Sequence, residues 1–400
     1  SISDGAIAGN LTWGPLEVAT LVTSEDEMVA VFGKPNANTY KTFFSATSFL
    51  SYSNKLRVVR AANTSVAQNA VTGGSAILIR NDKEYQNTYE STTTSGTSFT
   101  AKYPGVLGNS LRMSICVADR ANTQVNESDS TVSHGTSTTL GLTGTWAADA
   151  DSTTVTGTGT LADVELRIGD VIGYASGNAN AGIVTSITSN TEITLAQATT
   201  GLETIGLGGS TAITGLAELS RKKRSAFKEA NTNMLGSLSV VAGSTTITGT
   251  HTNFTRQLHV GDILTIPATE ANAADHRRRV TAIANSTSLT VATKLDRAFT
   301  TQADWSREWE YAGSFGSAPL TSPHAYKVTG SKDVGDEIHV VIVDEDGEIL
   351  GTKDNRGGIS PEKQVIDAWE GLSVASGATG STGEIIYYKE AINDTSKYVR

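Results

Sequence analysis

Asp344-Glu345-Asp346-Gly347 has the composition of a calcium-binding loop. Such a loop needs oxygen ligands at alternating positions and a bidentate Glu several residues on. That spacing is absent, and the run reads as the turn of a hairpin returning through Glu348-Ile349-Leu350. Ser, His and Asp all occur, but no Gly-x-Ser-x-Gly elbow precedes a helix, so no nucleophile is singled out. The glycines are dispersed, and no Gly-Lys-Ser/Thr closes a phosphate loop. Cys116 is the single cysteine, which excludes an internal disulfide framework and a multi-Cys metal cluster. Within a strand it reads as a small buried hydrophobe. Six scattered histidines do not make a zinc site. Gly169-Asp170 and Gly261-Asp262 read as turns in which Gly supplies the bend and Asp caps it. The expectation is therefore no catalytic, cofactor-binding or metal residue, no cofactor, and no enzyme.

Three further clusters have possible partners. Arg221-Lys222-Lys223-Arg224 and His276-Arg277-Arg278-Arg279 are basic runs in a chain of net charge −10. They suit an anionic partner, and equally a solvated helix face and a charged loop, the reading preferred here. The acidic balance argues against a nucleic-acid binder. Trp305, Trp309 and Tyr311 suit a sugar-stacking platform, or packing where an inserted domain meets its parent; the second is preferred.

The elements that hold these residues change character along the 400 residues. The beginning is mixed. Ala6 to Gly14 suits a strand ending at Gly14-Pro15, and Val18 to Val22 another. Ser24-Glu25-Asp26-Glu27 is a capping box before a short helix with Met28, Val31 and Phe32 on its apolar face. Tyr40, Phe43, Phe44, Thr47 and Leu50 predict a second helix to Tyr52, firmly packed through Phe43, Phe44 and Leu50. Leu56–Arg60, Ala76–Arg80 and Leu111–Val117 read as strands, and Asn81 to Ser98 as an exposed loop or hairpin. Near the end, Glu337 to Val343 and Val365 to Leu372 read as strands, and a short helix runs to Asn393. No run of eighteen apolar residues exists.

From about Val125 the composition turns to Thr, Ser, Gly and Ala, and a repeat emerges. Ser152-Thr153-Thr154-Val155-Thr156-Gly157-Thr158 recurs as Ser244-Thr245-Thr246-Ile247-Thr248-Gly249-Thr250. Leu166-Arg167-Ile168-Gly169-Asp170-Val171-Ile172 recurs as Leu258-His259-Val260-Gly261-Asp262-Ile263-Leu264 at the same offset of 92. Val184-Thr185-Ser186-Ile187 then matches Val280-Thr281-Ala282-Ile283 at an offset of 96. Each copy reads as a small antiparallel β-barrel or sandwich. Leu216 to Leu235 reads as a helix joining them. The fold class expected is α+β: a discontinuous domain (1–125 plus 306–400) with an all-β insertion made of a first module (126–210), a linking helix (211–236) and a second module (237–305).

Trp13-Gly14-Pro15, the capped helix ending Phe32-Gly33-Lys34-Pro35, and Leu50-Ser51-Tyr52-Ser53-Asn54-Lys55-Leu56-Arg57-Val58-Val59-Arg60-Ala61 resemble the contractile tail sheath proteins of T4-like myoviruses. Tyr103-Pro104-Gly105-Val106-Leu107-Gly108-Asn109 is similar to that family's YPG-x-x-GN stretch. Tyr311 to Pro319, Asp336 to Gly351, Trp369-Glu370-Gly371-Leu372-Ser373 and Tyr388 to Tyr398 resemble the same sheaths, especially those of cyanobacterial myophages. The resemblance implies a fragment lacking the family's N-terminal arm and C-terminal half, and a structural role. It further implies six-subunit rings that stack around the tail tube and contract to drive it through the host envelope. Implied partners are other sheath subunits, with tube and baseplate met through the missing parts; the implied place is the virion, after synthesis in the host cytoplasm. The fragment itself is expected to be monomeric. An alternative is a surface-exposed virion module recognising host glycans through the twin β insert.

Overall fold

The computed structural model describes residues 4–118, 139–216, 219–349 and 365–400, apart from 73–74, 76, 91–98, 149–151, 167–169, 175–179, 197–212, 223–227, 230–233, 235, 251, 253, 269–273, 303 and 331–333. It is a mixed α+β chain in two compact units, Ser1–Ile115 with His339–Arg400, and Cys116–Ile338.

The first unit opens with β1 (Gly5–Gly9), β2 (Ala19–Val22), α1 (Glu25–Phe32), α2 (Tyr40–Leu50) and β3 (Leu56–Arg60). β3 lies between β1, its parallel neighbour, and β2, its antiparallel one. The predicted strand therefore ends at Gly9, and Leu11 to Pro15 is turn. The Ser24 hydroxyl accepts the Glu27 N–H at 3.2 Å and caps α1. Glu27 reaches back one residue further than a capping box requires, accepting from the Thr23 N–H at 2.7 Å. Gly33, at φ 75°, ends the helix. Met28, Phe32, Phe43, Ala46, Leu56 and Val58 form the core between helices and sheet. The expected packing of Phe44 is corrected: it is 54% exposed. The buried line of α2 runs through Phe43 and Ala46, with Leu50 half-buried. Phe44 lies about 100° around the helix from Phe43.

Two further expectations give way. Of the strand expected over 76–80, Ala76 lies outside the described residues, and Ile77 to Arg80 form no regular strand: Ile77 bridges to Asn69. The Asn69 side chain takes over the ladder, accepting from Ile79 N–H and donating to the Ala101 carbonyl. Of the loop or hairpin expected over Asn81 to Ser98, residues 91–98 lie outside the described residues, and 81–90 are not loop. Asn81 caps a turn, α3 (Asp82–Glu84), which continues as a π-helical turn with Tyr85 buried. β4 (Leu111–Val117) follows as expected.

The second unit holds two eight-stranded sheets. The first contains β5 (Thr139–Gly141), β6 (Thr145–Ala148), β7 (Thr154–Thr158), β8 (Val171–Tyr174), β9 (Asn180–Ser189), β10 (Glu192–Leu195), β11 (Ile213–Leu216) and β12 (Leu219–Lys222), with a one-turn helix α4 (Ala162–Glu165) after β7. The second contains β13 (Lys228–Glu229), β14 (Ser237–Val240), β15 (Thr246–Thr250), β16 (Ile263–Ile266), β17 (His276–Asn285), β18 (Ser288–Val291), β19 (Phe299–Gln302) and β20 (Ser306–Glu308), with α5 (Phe254–Gln257) after β15. Their spatial orders are β11-β6-β7-β10-β9-β8-β12-β5 and, read from the other end, β19-β14-β15-β18-β17-β16-β20-β13. Strand for strand, the two orders are the same.

Registers agree as well. Thr154 pairs Thr194 as Thr246 pairs Thr290, and Trp146 pairs Gly157 as Leu238 pairs Gly249. Even side-chain bonds repeat: Thr160 Oγ1 donates to the Asn190 carbonyl, and Thr252 Oγ1 to that of Ser286. The expected helix over 211–236 is corrected, since β11, β12 and β13 occupy its described residues. Leu216 and Leu219 have helical spacing, but Leu219–Lys222 is a strand held on both edges, by β8 and β5. Met234, assigned to the helix, is buried in the second module's core.

After the modules come α6 (Pro323–Thr329), β21 (Glu337–Asp344), β22 (Val365–Ser373) and α7 (Tyr388–Thr395). β21 lies between β22 and β4 and is buried along nearly its whole length. Residues 345–349 turn without a returning strand, and Leu350 lies outside the described residues.

Candidate functional site

Arg60 closes β3 and is 4% exposed. Strand alternation puts it on the inner face with Leu56 and Val58. Its guanidinium donates to the carbonyls of Leu11 (2.9 Å), Gly14 (2.7 Å) and Pro104 (2.8 Å), with a longer bond to Thr12 at 3.4 Å. A planar fork of donors suits several carbonyls at fixed angles. Burial lowers its pKa to about 10, which leaves it charged at neutral pH. The backbone adds to the knot: Glu17 N–H donates to the Arg60 carbonyl and Ala61 N–H to that of Gly9.

The turns that meet Arg60 are built around glycine. Gly14 has φ 98°, and a Cβ there would lie 2.7 Å from the Val31 carbonyl oxygen. Gly105 has φ 140°, and a Cβ there would lie 3.0 Å from the Arg60 guanidinium. Both positions demand glycine by conformation and by space. Trp13 is buried and packs edge-on to Tyr103 with ring centroids 5.7 Å apart. Burial raises the Tyr103 phenol to about 12, so it stays neutral. Residues far apart in sequence, from Trp13-Gly14-Pro15, the end of β3 and Tyr103-Pro104-Gly105, are thus one structural knot. Its chemistry is positional: a buried cation at the end of β3, satisfied by carbonyls, orders two turns. Sequence reasoning placed Arg60 in its strand and missed its role. The available signal was the alternation Leu56, Val58, Arg60, which puts a charge in line with two core residues.

The expected sites stand as follows. Asp344 is fully buried; it accepts from the Ser110 hydroxyl at 2.7 Å and from Ile349 N–H at 2.9 Å. Its carboxylate therefore organises the turn that Glu345, Asp346 and Gly347 make. Among the described residues no three His, Cys, Asp or Glu gather as a metal site. Cys116 is buried. Gly261 has φ 108°, and the Asp262 carboxylate accepts His259 N–H at 2.8 Å. Asp262 also faces buried Arg307 at 3.6 Å, and its burial raises its pKa while Arg307 opposes that rise. Gly169 lies outside the described residues.

Of the basic runs, Arg221 and Lys222 are in β12, and Lys223 and Arg224 lie outside the described residues. His276 to Arg279 begin β17 rather than a loop; Arg277 pairs with Glu308, and Arg279 with Glu310 at 2.7 Å. Trp305, Trp309 and Tyr311 are all buried, so no exposed stacking platform exists there. Trp305 belongs to the second module's core, and Trp309 stacks on Phe315 at 5.5 Å.

Residues 6–61 match the family model for the tail sheath protein Gp18 domain III N-terminal region. The chain is similar to tail sheath proteins of Vibrio phage KVP40 (46% identity over 65 residues, 16% of this chain and 10% of the relative), Salmonella phage ViI (35% over 117 residues, 29% and 18%) and Enterobacteria phage T4 (44% over 70 residues, 18% and 11%). The matched stretches thus span less than a fifth of each relative's length. The family-model match covers β1, β2, both helices and β3, and includes Arg60 and the Trp13-Gly14-Pro15 turn that it ties. Over these stretches the chain is similar to the T4-like tail sheath proteins.

Proposed function

We propose that the chain is part of a structural subunit of a phage contractile tail sheath, assembling with other sheath subunits around the tail tube. The observation that carries this is the match over residues 6–61, whose motifs converge on Arg60. Contraction, in this reading, replaces one set of subunit contacts by another of lower free energy, and drives the tube through the host envelope. Rigid knots such as Arg60 would keep each subunit intact while the lattice rearranges. The domain reading is a discontinuous α+β domain, drawn from both ends of the chain, into which two small β-barrel or sandwich modules are inserted. The equal strand orders of the two sheets support the modular part of it. Tube and baseplate would be met by other parts of the subunit. The test is antibody labelling of purified virions with sera raised against residues 139–222 and 228–308. Regular decoration along the tail is expected; labelling confined to heads, to fibres or to unassembled protein would contradict the reading.

A further inference from the structure

We propose that the edge Thr100-Ala101-Lys102 is a binding site for an extended peptide segment in which an aliphatic residue larger than valine precedes an arginine, and that the chain's own Tyr398-Val399-Arg400 holds this site shut. The site belongs to the first unit alone and does not depend on the sheath reading.

Three features recognise the strand that occupies the edge. Thr100 and Arg400 exchange both backbone bonds, at 3.1 and 2.9 Å, and Lys102 N–H donates to the Tyr398 carbonyl at 2.7 Å, with Ala101 and Val399 paired antiparallel between them. The Arg400 side chain is 5% exposed and pairs with Asp82. Its guanidinium carbon lies 4.5 Å from the Tyr85 ring centroid and 6.0 Å from that of Tyr103. Two aromatic rings and a carboxylate select a planar cation. Val399 is buried between these contacts but does not fill its place. A cavity of about 60 Å³ remains among Val399, Val71, Phe99, Leu111, Met113 and Ile342. Atoms facing a gap forgo contacts, so a longer aliphatic side chain here gains what valine leaves.

The strap can leave without dismantling what it covers. Ala101 N–H donates to the Ala70 carbonyl at 2.7 Å and Thr72 N–H to that of Phe99 at 3.1 Å, so the segment stays paired along its other side. Ser396, buried after α7, is the hinge. Its carbonyl accepts from the Lys102 ammonium at 2.6 Å, and its hydroxyl donates to Asp367 at 2.8 Å. Only residues 397–400 then need to move. Asn393 on α7 donates to the Tyr85 hydroxyl at 2.9 Å, and Trp13 packs on Tyr103, so the cation corner persists when Arg400 departs. A vacated edge is a template for another strand. Tethering gives Tyr398 to Arg400 a high effective concentration, which keeps the edge covered despite the imperfect fit.

Amide exchange and peptide binding on the whole chain test this. Opening of the strap alone exposes the Thr100 and Lys102 amides and spares those of Ala101 and Thr72. The first pair is expected to exchange at least about tenfold faster than the second. A labelled peptide of residues 394–400 carrying V399I is expected to bind the Arg400→Glu chain, whose strap Asp82 repels, at least about tenfold more tightly than the wild-type chain. The peptide with the native valine binds that variant more weakly, and adding Asp82→Lys removes binding. Val399→Asp, which sets a carboxylate against the apolar cavity, releases the strap by a second route if Arg400→Glu does not fold. Thr100 and Lys102 amides that exchange no faster than Ala101 overturn the proposal. So do equal binding to wild-type and released chains, a valine peptide that binds as tightly as the isoleucine one, and a peptide that binds no released variant. Each of these failures leaves the sheath reading to its own test by tail labelling.

Discussion

Residues 139–222 and 228–308, each a module built on one eight-stranded sheet, solve one packing problem twice with different side chains. Ten core residues of the first, from Leu142 to Leu195, have counterparts in the core of the second. Most exchange similar volumes: Val155 for Ile247, Ile172 for Leu264, Ile193 for Leu289. Two do not. Trp146 on β6 faces a counterpart Leu238 on β14, and Ala162 in α4 a counterpart Phe254 in α5. The second core gains its tryptophan elsewhere, at Trp305, which packs edge-on to Phe254 at 5.9 Å. Bulk has moved between positions while topology has not. Core volume and apolar pattern are thus conserved constraints of the fold, and the residue at each site is negotiable. Residues 5–61 are the opposite case. Among the described residues no second sheet repeats their β1-β3-β2 order, and the contact that ties them is polar.

The strongest way to break this comparison is to empty both cores. Trp146→Ala and Trp305→Ala should each cost about 3–5 kcal/mol and by similar amounts, each confined to its own module, as hydrogen exchange resolved by segment would read. A large effect from one and a negligible effect from the other would show that the cores are not equivalent. Arg60→Met leaves buried carbonyls of Leu11, Gly14 and Pro104 unpaired. It should cost about 3 kcal/mol or more in the first unit and leave exchange in both modules unchanged. Ala162→Phe alone should overpack the first module by about 1–3 kcal/mol, and Trp146→Leu alone should leave a cavity. Together they should cost less than their sum in a double-mutant cycle, because the pair imitates the second module.

A finer comparison uses the turn glycines. A Cβ on Gly157 would overlap the Thr160 hydroxyl, and one on Gly249 that of Thr252. Both hydroxyls are committed to carbonyls across the module. Gly157→Ala and Gly249→Ala should therefore destabilise by equal amounts, about 1–3 kcal/mol, in thermal melts. The smallest effect lies outside the modules. Ser24→Ala should cost about 1 kcal/mol in α1. The Glu27 carboxylate is held below its ordinary pKa by Thr23, so its small contribution is present above the ordinary carboxylate range and is lost as pH falls through the lowered value. Exchange of the α1 amides against pH would show it, and Glu27→Gln would remove the dependence.

The module repeat was readable because its turns need particular residues. Gly157 and Gly249 sit where no Cβ fits, and Gly261 where φ is positive, so the residue letters repeat with the geometry. The capped helix α1 and the buried strand β21 were readable for similar local reasons. What escaped depended on distant partners. Leu219-Ser220-Arg221-Lys222 answers Trp305-Ser306-Arg307-Glu308 in register, but only Ser and Arg are shared, and the leucine spacing mimics a helix. Phe44 has the right spacing for a buried face and the wrong side of the helix, a choice made by where the sheet lies. Arg60 escaped because its three strong acceptors are backbone carbonyls, which leave no mark in a sequence.

A cryo-EM map of intact tails purified with this chain tests the central claim most directly. The account predicts that each repeating subunit of the sheath contains the β1-β3-β2 sheet with its two helices, and carries two equivalent β lobes that fit residues 139–222 and 228–308. A sheath whose density accommodates neither lobe, or a tail without a sheath in which the chain occupies another structure, would contradict it.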